Sequence, residues 1–97
     1  MVTYCPYCGH KLAKPIKNGI ASCCNCNRIF DSCHRNRLLS LSWLVRKNNV
    51  HSSEFLVHSG HNLEDVEFVI KHIYEECCSH EDFLKILDEK FSVDLAS

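Results

Sequence analysis

Cysteine dominates the chemistry available to the first third of this chain. Cys5-Pro6-Tyr7-Cys8-Gly9 and Cys23-Cys24-Asn25-Cys26-Asn27 each carry a C-x-x-C pair, and 14 residues separate Cys8 from Cys23. One such turn presents two sulfurs as an edge of a tetrahedron, and two turns supply four thiolates to an ion with no directional preference of its own. The spacing predicts one structural Zn2+ held by Cys5, Cys8, Cys23 and Cys26. The same sulfurs also suit iron, but zinc is the expected ion. Cys24-x-Cys26 competes with Cys23-x-x-Cys26, and Cys23 is favoured because it keeps the two turns symmetric. A tight knuckle ends in a left-handed residue, a conformation that Gly adopts freely and Asn tolerates. Gly9 and Asn27 occupy those two positions.

Eight cysteines in 97 residues also fit a disulfide framework in an oxidising compartment. Met1 to His10, MVTYCPYCGH, has no basic segment, no apolar segment and no small-residue cleavage site of a secretory signal. A cytoplasmic protein with thiols reserved for metal is therefore expected, in the host cytoplasm if the protein is viral. No apolar run approaches the roughly 20 residues of a membrane span. Cys33 with His34, and Cys77-Cys78 with His80, lack paired C-x-x-C turns and read as small apolar residues rather than a second metal site.

The elements that must position the sulfurs follow from the segment between the knuckles. Ile16-Lys17-Asn18-Gly19-Ile20 centres an Asn-Gly pair, which suits a type I' turn, and predicts strands near 11–17 and 20–23. Arg28-Ile29-Phe30 predicts a third short strand, with Phe30 the lid of a very small core. These residues, CPYCG, the Asn-Gly hairpin, CCNCN and Phe30, resemble the zinc-ribbon family over about the first third of the chain, although Asn27 stands where the second knuckle usually has Gly. The resemblance implies a closed structural zinc and a place among transcription, replication and translation proteins. With a helical unit added, the chain looks like small phage or bacterial zinc-ribbon regulatory proteins.

Beyond the ribbon, expected over residues 1–34, residues 35–97 read as a mainly helical unit packed on or tethered to it. The fold class is thus small α+β, a β-hairpin plus a short third strand followed by helices. Leu38 to Val45, LLSLSWLV, fits either a helix near 36–47 capped by Asp31 or Ser32, or a strand pairing back through Asn48-Asn49 over residues 38–57; helix is favoured. Trp43, set among aliphatics, reads as core. Asn62 caps a second helix, expected over 62–78, in which Leu63, Val66, Ile70, Ile73 and Cys77 share a buried face. Ser79 restarts a helix over 80–91 with Phe83, Leu84, Leu87 and Phe91 as its stripe.

Charge divides along the same line. Residues 1–50 carry four Lys and four Arg against the single acid Asp31, net +7, and residues 51–97 carry three Lys against eleven acids, net −8, giving the chain's −1. The halves can attract each other or two different partners. Lys11, Lys14, Lys17, Arg28, Arg35 and Arg37 are the candidate nucleic-acid contacts, extended by Arg46 and Lys47, with Tyr4 and Tyr7 available to stack on bases. Glu64, Glu67, Glu75 and Glu76 are the candidate partner contacts if the acidic helices dock on a basic surface of a larger enzyme such as an RNA polymerase or nuclease. No Gly-rich phosphate loop, H-E-x-x-H or deaminase signature is present. A four-thiolate zinc has no open position for water. The expectation is a non-enzymatic regulator that binds nucleic acid, a protein of the nucleic-acid-processing machinery, or both, with no membrane and no small-molecule substrate.

Overall fold

The computed structural model describes residues 3–13 and 19–96, with side chains as far as Lys90. Strand β1 (Ile20–Ser22) pairs antiparallel with β2 (Ile29–Asp31), Ile20 opposite Asp31 and Ser22 opposite Ile29. The two-residue period turns Phe30 inward and leaves Ile20 and Ile29 exposed. Phe30 packs with Cys5 and Cys23, flanked by Leu12, Ala21, Cys8 and Cys26. This is the small core expected of the N-terminal unit. The strand predicted at Arg28–Phe30 is β2, shifted by one residue. Of the predicted hairpin, residues 14–18 lie outside the described residues; Gly19 has φ +73°, and the described partner of β1 is β2. Lys11 forms a separate antiparallel bridge with Tyr4.

Four α-helices follow: α1 (His34–Lys47), α2 (Ser53–His58), α3 (Leu63–Ile70) and α4 (His80–Ala96), with a π-helical turn over Lys71–Glu75 after α3. The ambiguous Leu38–Val45 segment is therefore helix. Its N-cap is Cys33 rather than Asp31 or Ser32; Asp31, two residues earlier at the end of β2, accepts through its carboxylate from the Cys33 N–H (3.4 Å) and the Asn36 amide (3.0 Å).

Helix α1 is covered on two sides, which explains why its sequence shows no clean stripe. Leu38, Leu39, Leu41 and Val45 join Leu56 of α2, Val66 and Val69 of α3, Ile73 of the π turn, and Phe83 and Leu87 of α4 in one core. Ser40 instead meets the N-terminal unit, its buried hydroxyl accepting from the backbone N–H groups of Tyr4 (2.9 Å) and Thr3 (3.1 Å). Ser42 is also buried and returns its hydroxyl to the Leu39 carbonyl (2.7 Å). Leaving the buried Tyr4 N–H without an acceptor costs about 1–3 kcal/mol, the Thr3 bond being only part-buried. Ser40→Ala is expected to lower stability by that amount in urea unfolding; a change below about 0.5 kcal/mol would mean that the segment carrying Thr3 and Tyr4 is not docked there.

Asn62 caps α3 as expected, its side chain accepting the Glu64 N–H at 2.8 Å. The helix expected over 62–78 is a shorter run over 63–75, α-helical to Ile70 and π-helical beyond it. The π turn, closed by Glu76 N–H to Lys71 O at 3.1 Å, shifts the register, and the helical run ends at Glu75, with Cys77 beyond it at φ +53°. Val66 and Ile73 are buried as expected, joined by Val69, and Ile70 packs half-buried against the same core, whereas Leu63 at the start of α3 and Cys77 beyond the π turn, both expected to be buried, are exposed. Ser79 caps α4 by accepting the Asp82 N–H at 3.1 Å. Phe83 and Leu87 are buried, whereas the Phe91 side chain lies outside those described. Among the described residues, no helix is long and apolar enough to cross a membrane.

Candidate metal centre

Each C-x-x-C pair folds by the same two backbone bonds. The Gly9 N–H donates to Cys5 O (2.9 Å) and the Cys5 N–H to His10 O (2.8 Å); the Asn27 N–H donates to Cys23 O (2.9 Å) and the Cys23 N–H to Arg28 O (3.0 Å). Both turns close on a left-handed residue, Gly9 at φ +76° and Asn27 at φ +59°. Asn27 in place of Gly therefore leaves the second knuckle equivalent to the first. In each, the first cysteine is buried and the second is half-buried.

This symmetry brings four sulfurs together within 4.8 Å of one another. The matching edges across the two knuckles are Cys5 Sγ to Cys26 Sγ at 3.7 Å and Cys8 Sγ to Cys23 Sγ at 3.5 Å. A disulfide needs about 2.05 Å, so these thiols are not cross-linked. A tetrahedral ion with metal–sulfur bonds of about 2.3 Å sets its sulfurs about 3.8 Å apart, which the two edges match. No protein-family model, curated protein or solved structure matches the chain. The donor set itself defines the site: four cysteines arranged to hold one metal ion. Cys24 is exposed and outside the cluster, so the pair is Cys23-x-x-Cys26.

The electrostatics also call for a cation. Burial pushes the Cys5 thiol up to about 12, against the Cys8 and Tyr7 backbone N–H groups that favour its thiolate. Burial also opposes ionisation of Cys8, yet the His10 backbone N–H, the Asn25 amide and the neighbouring thiols bring it down to about 6. The Asn25 amide lies 3.6 Å from Cys8 Sγ. Four adjacent anions repel strongly. A bound divalent cation would offset that repulsion and displace whatever protons the sulfurs carry.

The centre is tied to the helices through residues with no signature in the sequence. Trp43 of α1 lies flat against Gly9, so closely that a Cβ there would come within 2.6–2.9 Å of its indole carbons. Its Nε1 donates to Pro6 O at 3.4 Å. His80, at the start of α4, packs against the same indole at 4.2 Å between ring centroids. Burial, aided by the Arg46 charge, lowers the His80 pKa and favours its neutral ring. Asn48 donates to the Tyr4 hydroxyl at 3.1 Å. Tyr4 is only 8% exposed, which overturns its expected role as a stacking platform, whereas Tyr7 is 43% exposed.

The candidate cations separate into distinct roles. Lys11, Arg28 and Arg37 are exposed, and the Arg28 guanidinium lies 4.9 Å over the Tyr7 ring, itself set edge-on against Phe30 at 6.2 Å. Arg35 is drawn instead to Asp88 of α4 at 2.8 Å, an ion pair between the basic and acidic halves. Arg46 donates to Cys78 O at 2.6 Å, and Lys47 lies over Tyr4 and Trp43 at 5.6 and 5.9 Å. Lys14 and Lys17 lie outside the described residues. The acids Glu64, Glu67, Glu75 and Glu76 are all exposed, the first pair on α3 and the second past its far end, where Glu76 meets His72 at 3.0 Å.

Proposed function

We propose that the chain is a non-enzymatic, zinc-stabilised module of the zinc-ribbon type, a regulator that binds nucleic acid through its basic N-terminal surface. The observation that carries this reading is the pairing of Arg28 with half-exposed Tyr7 beside the metal knuckles. A guanidinium laid over an exposed phenol offers a flat cationic platform on which a base can stack, with Lys11 and Arg37 as phosphate contacts. The charge balance of residues 1–50 supports it, since Asp31 is their single acid and is engaged by Asn36 and Cys33. A four-sulfur ion with every position filled supports a structural rather than a catalytic metal. The role fits a component of transcription or of another nucleic-acid-processing complex.

Fluorescence anisotropy with labelled single-stranded RNA, single-stranded DNA and duplex DNA tests this. Binding is expected to favour single strands and to weaken between 50 and 200 mM salt. Tyr7→Ala should cost about 1–3 kcal/mol, the usual loss of one stacked base, and Arg28→Glu should cost more, both with zinc content unchanged. Absent binding, or binding indifferent to Arg28→Glu, would overturn the reading.

A further inference from the structure

A second surface lies in the helical part. Between Lys47 and Lys71 the chain has no lysine or arginine, yet it holds Glu54, Glu64, Asp65 and Glu67. Three large apolar side chains stand exposed in the same stretch: Phe55 (58%), Val57 (38%) and Leu63 (52%). The turn between α2 and α3 is tight, with the Gly60 N–H on Val57 O (3.0 Å) and the His61 N–H on Leu56 O (3.2 Å), so the start of α3 returns against α2. Of the acids here, Asp65 is already bound to His34 at 2.6 Å, while Glu54, Glu64 and Glu67 are exposed.

Phe55 is also one wall of a groove of about 550 Å3 between the end of α1 and the start of α2, whose other apolar walls are Leu44 and Val50. That volume accommodates one or two apolar side chains. The last turn of α1 opens on it, bringing the negative end of the helix dipole. The two cations of that turn are engaged elsewhere, Arg46 with Cys78 O and Lys47 over Tyr4 and Trp43.

We propose that this acidic, apolar face of α2, α3 and the adjoining groove is a docking site for a basic amphipathic segment of a protein partner. Apolar side chains of that segment enter the groove and cover Phe55 and Leu63, and its lysines or arginines meet Glu54, Glu64 and Glu67. The site does not depend on nucleic-acid binding, since it shares no residue with the Tyr7–Arg28 platform.

The zinc-loaded chain is titrated against three fluorescein-labelled synthetic peptides of equal length: a Leu/Lys peptide of helical amphipathic pattern, the same composition scrambled, and a Leu/Glu counterpart. Only the amphipathic Leu/Lys peptide is expected to bind. Phe55→Asp with Leu63→Asp should weaken it at least tenfold, as should Glu64→Lys with Glu67→Lys, while Arg28→Glu leaves it unchanged. All these side chains are exposed, and a circular dichroism spectrum matching the parent confirms that each variant is folded. Equal binding of the scrambled peptide would reduce the effect to charge alone and overturn the proposal. Unchanged binding by the Phe55/Leu63 variant would overturn it too. So would concentration-dependent self-association that this variant abolishes, because the face would then be covered by a second copy of the chain.

Discussion

Replacing Cys5 and Cys26 with serine is expected to strip the protein of its metal and unfold its N-terminal unit. The core there consists of Phe30 with two of the cysteines themselves, far too little apolar surface to order a chain without a further tie. A structural zinc supplies about 10–16 kcal/mol in comparably small units, as much as the whole stability of an ordinary domain. Elemental analysis should find one ion per wild-type chain and well under half of one in the double variant. Chelation of the wild type should reproduce the effect. The damage should reach the helices as well, because Trp43, the single tryptophan, rests on the first knuckle and α1 receives the Thr3 and Tyr4 N–H groups. Loss of metal should therefore shift Trp43 emission to longer wavelength and lower the melting temperature followed by helical circular dichroism. A serine variant with full ion content and unaltered melting would remove the metal from any structural role.

Gly9→Ala should also destabilise the protein, less than loss of the metal and by a different route. Two costs add at this position. An L-residue at φ +76° is strained by about 1–2 kcal/mol, and the new methyl group would lie within 2.6–2.9 Å of Trp43 carbons, an overpacking worth about 1–3 kcal/mol more. Gly60→Ala is the matched control. Its φ is +89° but nothing lies within 4 Å of the added carbon, so only the strain remains. Urea unfolding of the zinc-loaded proteins should place Gly9→Ala about 2–5 kcal/mol below wild type and Gly60→Ala about 1–2 kcal/mol below. Equal costs would mean that Trp43 does not sit against the knuckle.

The features legible in advance are those governed by neighbours close in sequence. The C-x-x-C pairs, Gly9 and Asn27 specify their knuckles through bonds spanning four or five residues. Asn62 and Ser79 announce their helices because a cap bonds two or three residues ahead. The run expected over 62–78 was legible in its start and in Val66, Ile70 and Ile73, but not in its end, because the π turn and the left-handed Cys77 that close it leave no mark in the apolar spacing. Tyr4 and Tyr7 look alike in sequence, yet one is buried under Asn48 and the other is exposed.

By itself the sequence determined that four sulfurs would meet, that helices would follow, and that opposite charges would occupy the two halves, since spacing, capping and composition are properties of short stretches. Only the tertiary structure decided what each side chain of α1 touches. That helix lies between two partners, with Ser40 bonded to residues 36 and 37 positions away and Leu38 on the helical core. A helix packed on one side carries a readable stripe, whereas one packed on both sides has none. The same long-range packing assigned Arg35 to Asp88 and left Arg28 on Tyr7, because which cation remains available depends on what the fold brings beside it.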